Sequence, residues 1–298
     1  MQTTIGAPLA LANKETTGLL RVGIQGYAGA FHEIAARQFF ANRDLEIVPA
    51  HTFAELIAAI ERGETTDAGL MAIENTLAGS LMANYRLLLE SKVQITGEVF
   101  LRIEQNLLTL PGVRIEDLKE VHSHPVAIEQ CRQFFFQYPH IHLVETVDTA
   151  LSAREVMENQ WQHIGAIASS QAAGLYGLDI LAAGIETNKQ NHTRFLVLEQ
   201  SGDHILEQDD SNKISLSFTV DHEVGSLYQT LAVLAAYQVN LTKIQSAPII
   251  GRPWEYRFFV DFVVQGDRTW QQAIDAIRPI TRELYLMGAY PEGEKQEV

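Results

Sequence analysis

From Leu19 onward, short β-rich runs alternate with helical patterns, and this alternation commits most of the chain to βαβ units. Leu20-Arg21-Val22-Gly23-Ile24 reads as a strand, Phe31 to Phe40 as a helix, and Leu45-Glu46-Ile47-Val48 as the next strand. Thr52-Phe53-Ala54-Glu55 is a capping-box pattern opening a helix whose Leu56, Ala59 and Ile60 share a face. Ala68 to Ile73 gives another strand, leading into Glu74-Asn75-Thr76 and a helix from about Ser80. After the extended stretch Val93 to Leu110 a second α/β unit begins. Its strands fall at Glu120 to Ser123, Ile141 to Val147, Ile164 to Ala168 and Asp179 to Ala182, and Pro125 suits the first turn of a helix. The extended segments at 93–110 and 191–199 read as two crossings between two lobes, which makes a hinged cleft.

The stretch Ser201 to Asn212 is acidic and polar, with Asp209-Asp210-Ser211-Asn212 marking a linker. Beyond it the pattern changes. Ile214, Leu216, Phe218 and Val220 alternate as a strand with one buried face, and Leu227, Leu231 and Leu234 take helical spacing. Strands around Leu241 to Ser246 and Tyr256 to Val264 flank the turn Gly251-Arg252-Pro253-Trp254. A helix near Trp270 to Ile277 and a strand near Glu283 to Gly288 complete βαββαβ, the ferredoxin-like plan. The 298 residues thus divide into an N-terminal extension (1–18), an α/β unit (19–200), a linker (201–212) and a C-terminal module (213–298).

A net charge of -15 and a pI near 5.1 argue against nucleic acid or an anionic membrane as partner, since both select basic surfaces. An anionic substrate would also be repelled at long range. A site for one therefore needs local arginine, backbone N–H groups or helix N-termini. Cys131 is the single cysteine and cannot form an internal disulfide, which fits a reducing cytoplasm. It sits beside Phe134 and Phe135 in a helix-like run and reads as a small core hydrophobe. The apolar patch Ala7 to Ala12 lacks a preceding basic region and makes a poor signal peptide. No apolar run reaches the ~18 residues that a membrane-crossing helix needs.

Several short motifs carry chemistry. In Asn191-His192-Thr193-Arg194-Phe195, ahead of Leu196-Val197-Leu198, a hydroxyl and a fixed cation stand at the start of a strand-like run. Thr193 can hydrogen-bond without carrying charge, and Arg194 forks onto carboxylates. The plain alternative is a loop-to-strand junction with a capping Thr, a solvated Arg and a core Phe. Glu74-Asn75-Thr76, followed by Gly79-Ser80, is either a ligand-binding turn at the carboxyl edge of a sheet or polar punctuation at a strand end. Gly26 and Gly29 precede the helix near Phe31, so backbone N–H groups there can meet a carboxylate, although the spacing is not that of a dinucleotide-binding loop. Ser123-His124-Pro125 with Gln130-Cys131 offers hydroxyl, imidazole and amide groups, or a helix cap. No His, Cys or carboxylate set has metal-ligand spacing.

The order of these motifs, from about Val22 to Gly288, resembles monofunctional prephenate dehydratase with a C-terminal ACT domain. The matching segments are Gly26-Tyr27-Ala28-Gly29-Ala30-Phe31, Ile73-Glu74-Asn75-Thr76, Ser123-His124-Pro125 with Gln130-Cys131, Leu175-Tyr176-Gly177-Leu178 and Asn191 to Phe195. Pro253-Trp254-Glu255-Tyr256 and Phe258-Phe259-Val260-Asp261 mark the ACT module. The resemblance implies a bilobal α/β catalytic domain like a type II periplasmic binding protein, with prephenate between the lobes. Prephenate would lose its ring hydroxyl and ring carboxylate, giving phenylpyruvate, carbon dioxide and water. No cofactor or metal is implied. Thr193 matches the residue that assists the departing hydroxyl, and Glu74, Asn75, Ser123 and Gln130 match positions tied to activity. Arg194, Thr76, Ser80, Gly29 and Phe31 are expected to bind substrate, Arg194 through a substrate carboxylate.

In the ACT module, Gly225, Ser226, Leu227, Asn240, Leu241 and Ser246 are expected to bind L-phenylalanine as feedback effector in a cytoplasmic homodimer or homotetramer. Gln245-Ser246-Ala247-Pro248 departs from the family's Glu-Ser-Arg-Pro, and residues 225–248 have packing and dimerisation as their plain alternative. Ala72, Val126 and His32 also depart from the family pattern, with arogenate, which carries an amine in place of the keto group, as the nearest alternative substrate. A non-catalytic amino-acid sensor is the rival from another class, and Thr193-Arg194-Phe195 together with Glu74-Asn75 disfavours it. Fewer than twenty residues precede the first strand, so no fused chorismate mutase is expected.

Overall fold

The computed structural model describes residues 18–202, 211–264 and 269–295, so nearly all of the expected N-terminal extension and most of the expected linker lie outside the described residues. The first lobe is built on β1 (Leu20–Gln25), which buries Leu20, Val22 and Ile24 and pairs in parallel with β2 (Leu45–Ala50) and β3 (Ala68–Asn75). Helices α1 (Phe31–Phe39) and α2 (Phe53–Arg62) connect them. Thr52 caps α2 by accepting from Glu55 N, and Gly63 ends it in the left-handed region at φ 65°. The next helix starts later than the sequence pattern suggests. Gly79, at φ 78°, turns the chain into a two-residue strand, β4 (Gly79–Ser80), that pairs back on β3, and α3 (Met82–Glu90) follows.

Strand β5 (Val93–Arg102) closes the first lobe, and β6 (Asn106–Thr109) opens the second. The crossing is only the three residues between them, and the rest of the long extended stretch belongs to the two sheets. The second lobe adds β7 (Glu120–Ser123), β8 (His142–Glu145), β9 (Ile164–Ala168) and β10 (Asp179–Ala182), in the order β10-β6-β9-β7-β8. Its helices are α4 (Pro125–Phe135), with Pro125 in the first turn, α5 (Thr149–Glu158) and α6 (Ser170–Tyr176). Cys131 is fully buried in its core near Phe135 and Ile128, where burial pushes the thiol's pKa up and keeps it protonated. The return strand β11 (His192–Gln200) inserts between β3 and β5, antiparallel to both. Ile103 N donates to Asn191 O at 2.7 Å, so the two crossings run side by side.

The C-terminal unit comprises β12 (Lys213–Thr219), α7 (Ser226–Ala236), β13 (Val239–Pro248), β14 (Tyr256–Val264), α8 (Trp270–Ile277) and β15 (Arg282–Tyr290). Its order β13-β14-β12-β15 is the ferredoxin-like arrangement that the βαββαβ pattern implies. The polar segment after β11 does not isolate it. Strand β15 pairs with β5 at Gly288 and Ile95, which joins both units into one ten-stranded sheet. A Cβ on Gly288 would lie 2.2 Å from Ile95 O, so only glycine allows the two backbones to meet.

Strand alternation then sorts β11 and β3 between two cores. Phe195 and Val197 pack with Leu70, Ala72 and α1 on one face. Leu196 and Leu198 pack with Met71 and Ile73 on the other, against α2, α3 and Phe259, Met287 and Tyr290 of the C-terminal unit.

Candidate active site

Between the lobes lies a cavity of about 360 Å³, within the range of small-molecule sites. Its floor comes from β11 and β3, which present Thr193, Phe195, Ala72 and Asn75. The second lobe supplies Gln130, His124, Val126 and Asp148, the first crossing Gln105, and α1 Phe31 and His32. Among the described residues no lysine or arginine lines it, and Asp148 is its one carboxylate.

A chain of side-chain amides fixes Thr193. Asn75 Oδ1 accepts from Leu77 N and Ala78 N, both at 2.9 Å, which turns Asn75 Nδ2 toward β11. That nitrogen donates to Asn191 Oδ1 at 2.8 Å and to Thr193 Oγ1 at 3.0 Å. Asn191 Nδ2 in turn donates to Gln130 Oε1 at 2.9 Å, tying the return crossing to the second lobe. Because Asn75 fills an acceptor site on Thr193 Oγ1, the threonine's own proton is left to donate. The structure thus brings together Thr193, Asn75, Gln130 and Phe31 of the sequence candidates. Asn191, which opens the motif run, and Gln105 also belong to the cluster, and no role had been drawn for either.

The remaining sequence candidates fall elsewhere. Arg194 follows Thr193 on a strand, so its side chain leaves by the opposite face. There its guanidinium meets Glu98 at 2.7 Å, Asp261 and the Tyr290 hydroxyl at 3.0 Å, with only 6% of the side chain exposed. Lys213 Nζ contacts Glu98 at 2.7 Å, and Gly293 N donates to the same carboxylate. Burial opposes the charge on Arg194, but Asp261, Tyr290 and Glu98 outweigh it and hold the guanidinium's pKa well above its ordinary value. Arg194 is therefore part of a two-cation, two-carboxylate cluster against the C-terminal unit, and it does not reach the cleft.

Glu74 shares that face, since it pairs with Arg194 across β3 and β11. Its carboxylate meets Lys243 of β13 at 2.8 Å, and the same lysine donates to Ser80 Oγ at 2.8 Å, which takes both Glu74 and Ser80 out of the cleft. Ser123 is fully buried and donates to Ile167 O at 2.7 Å, a bond that ties β7 to β9. Thr76 Oγ1 donates to Gln190 O and accepts from His192 N, pinning the return crossing rather than a ligand. Gly29, at φ 88°, has its N–H taken by Glu33 Oε2 at 2.7 Å and packs so tightly on Ala172 that a Cβ would lie 2.9 Å from that Cα. Its carbonyl accepts from Ser169 Oγ at 2.6 Å, so Gly29 closes the lobes against each other.

Three helices begin on the cleft wall: α1 at Phe31, α4 after His124 and α5 after Asp148. Their first-turn N–H groups and partial positive charge supply what the missing basic side chains do not. His32 is neutral there. It stacks edge-on against Phe195 at 4.9 Å, and burial lowers its pKa to about 4. Asp148 caps α5, with Oδ1 accepting from Leu151 N at 2.9 Å, and burial raises its pKa against the pull of the backbone N–H groups.

In the C-terminal unit, Ser226 and Leu227 line a smaller cavity of about 150 Å³ with Val220, His222 and Tyr256. Gly225, at φ 89°, caps α7 beside it. Asn240, Leu241 and Ser246 lie on the edge strand β13 and do not line that cavity. Among the described residues no group of three or more His, Cys, Asp or Glu side chains is gathered for a metal ion.

The family profile described as prephenate dehydratase matches residues 22–203, the span that builds both lobes and the cleft. Arogenate dehydratase 2 of Petunia hybrida is 38% identical over 298 residues, covering 94% of this chain and 74% of its own. Among solved structures, a prephenate dehydratase from Arthrobacter aurescens in complex with L-Phe superposes with a TM-score of 0.80 at 26% identity, covering 94% of this chain and 92% of its own. GqqA, described as a novel type of quorum quenching acylase, superposes with a TM-score of 0.81 at 32% identity, covering 91% and 98%. With the profile lying over the residues that hold Thr193 between the lobes, the chain belongs to the prephenate dehydratase family of lyases.

Proposed function

We propose that the interlobe cleft carries out the decarboxylative dehydration of prephenate to phenylpyruvate, in phenylalanine biosynthesis. The carrying observation is Thr193 Oγ1, which accepts from Asn75 at 3.0 Å and keeps its proton for a ligand on the cleft side. In the reaction the bond to the ring carboxylate breaks and carbon dioxide leaves. The freed electron pair enters the ring, and the ring C–O bond breaks. The departing hydroxyl takes up one proton, ultimately from solvent, and leaves as water. Aromatisation drives this step, so the protein has mainly to orient the ring and stabilise oxygen as its negative charge grows. Thr193 does the second task as a neutral donor, and Phe31 and Phe195 frame the ring. The helix N-termini of α1 and α4 receive the substrate carboxylates in place of Arg194.

The C-terminal unit is read as an ACT domain that binds L-phenylalanine near Ser226 and Leu227 and pairs with a second copy through edge strand β13, where Ile244 is exposed. Paired chains bind the effector and lower turnover in the cytoplasm. The test is to incubate the purified chain with prephenate, follow phenylpyruvate, and repeat with L-phenylalanine added. No phenylpyruvate from the wild-type chain sinks turnover of prephenate, though not a dehydratase acting on its amino-acid counterpart, and turnover and oligomeric state indifferent to L-phenylalanine sink the regulation alone.

A further inference from the structure

Asp148 stands out among the cleft residues because the dehydration of a dianion gives it nothing to do. Among the described residues it is the only carboxylate on a wall without lysine or arginine. A fixed negative charge there repels both carboxylates of prephenate. Its capping duty does not require the charge, because asparagine or serine caps a helix as well as aspartate does. In capping, Oδ1 accepts from Leu151 N at 2.9 Å, and the N–H of Ala150 adds a second backbone contact to the carboxylate. The other oxygen, Oδ2, reaches across the lobe boundary. It lies against Gly26 of the first lobe, where a Cβ would come within 2.7 Å of it.

Two cationic candidates stand near this carboxylate, and neither closes an ion pair with it among the described residues. The Arg154 guanidinium sits 5.0 Å over the Tyr27 ring, and His124 turns Nδ1 to Val126 N. A mostly buried carboxylate without a cation is costly, and its raised pKa reports that cost. A ligand that brings its own ammonium group removes it. The amino-acid counterpart of prephenate, arogenate, has that ammonium on its side chain, at the far end of the ring from the hydroxyl that leaves. Thr193 and Asp148 line the same cavity from its two sides, one on the first-lobe floor and the other on the second lobe.

We propose that Asp148 is a specificity-determining residue that receives the α-ammonium of arogenate, so that the cleft takes the amino acid in preference to the keto acid. This rests on the dehydratase reading above and names the form of the substrate. Charge pairing at a mostly buried carboxylate discriminates strongly, because an unmatched partner leaves that carboxylate with the cost of desolvation.

The experiment compares kcat/KM for arogenate and prephenate in the full-length wild type, Asp148→Asn and Asp148→Ser. Both substitutions retain a side-chain acceptor for Leu151 N and remove the charge, and serine serves should the asparagine variant fold poorly. The wild type is expected to favour arogenate. In both variants arogenate turnover efficiency is expected to fall roughly 30- to 100-fold while that for prephenate holds or rises. A parallel loss on both acids, or a ratio unchanged within about threefold, overturns the assignment and leaves the dehydratase reading standing. A wild type inactive on both acids removes the dehydratase reading and this assignment with it.

Discussion

The two faces of the sheet at β3 and β11 carry opposite chemistry. On the cleft face Thr193, Asn75, Gln130 and a neutral His32 surround a cavity that no lysine or arginine lines among the described residues. On the other face Arg194 and Lys213 are locked between Glu98 and Asp261, and Lys243 holds Glu74. Neighbours in sequence are divided by the pleat, Thr193 from Arg194 and Asn75 from Glu74. The difference teaches that this protein keeps its most deeply buried ion pairs for joining two units and leaves its cleft to neutral donors and helix ends. An acidic chain can thereby admit an anion without spending an arginine on it.

The largest effect that breaks this contrast is expected from Arg194→Met. It strands Asp261 and half of Glu98 in a buried site, and removing one partner of such a cluster costs about 3–5 kcal/mol. Chemical denaturation should show the loss directly. A variant that kept wild-type stability and only raised KM would put Arg194 back in the cleft. Thr193→Ala tests the opposite face. Loss of one donor to a developing negative oxygen is expected to lower kcat by about 10²- to 10³-fold. The same denaturation measurement should move by about 1 kcal/mol, because Asn75 Nδ2 retains Asn191 and His192 O as acceptors. Thr193→Ser, which restores the hydroxyl, should recover most of the turnover.

The strand and helix limits of the chain were largely legible, because alternation and capping are local. Thr52 at the head of α2 and Pro125 in the first turn of α4 sit where their chemistry demands. The division between Thr193 and Arg194 was legible too, since two adjacent residues on any strand must face opposite ways, although a motif read as a unit hides this. Other features depend on pairs far apart in sequence. Asn191 meets Gln130 across 61 positions, and Ser123 spends its hydroxyl on Ile167 O, which no local pattern announces. The junction of β15 with β5 is likewise invisible, because Gly288 reads as an ordinary strand end until Ile95 lies against it.

Acid should separate the faces further, through His32. Its folded pKa of about 4 lies below the ordinary value of 6.5, so the unfolded chain binds the proton first as pH falls. The neutral imidazole's contribution is complete above about pH 6.5 and is lost between there and about pH 4, to a total on the order of 3 kcal/mol. His32→Leu should flatten that limb of the stability curve. An unchanged acid limb in the variant would show that His32 is charged in the folded cleft, contrary to its packing against Phe195 and Phe53.

The smallest effect is expected at Glu74, and it bears most directly on which face does the chemistry. Glu74 and Lys243 pair at 2.8 Å with 38% of the glutamate side chain exposed, so solvent screening limits the pair to about 1 kcal/mol or less. Glu74→Gln keeps an oxygen for Lys243 and removes the negative charge. If Glu74 acts only as a tie between β3 and β13, kcat should stay within a few-fold of wild type, and the pH profile of kcat should keep its shape. A catalytic carboxylate would behave otherwise, since removing a general acid or base typically costs about 10²- to 10⁴-fold and erases one limb of the profile. Intact turnover in Glu74→Gln beside dead Thr193→Ala would place the chemistry on one face of the sheet and the tie to the C-terminal unit on the other. A loss in Glu74→Gln as deep as that in Thr193→Ala would mean that the lobes rearrange on binding and carry Glu74 into the cleft.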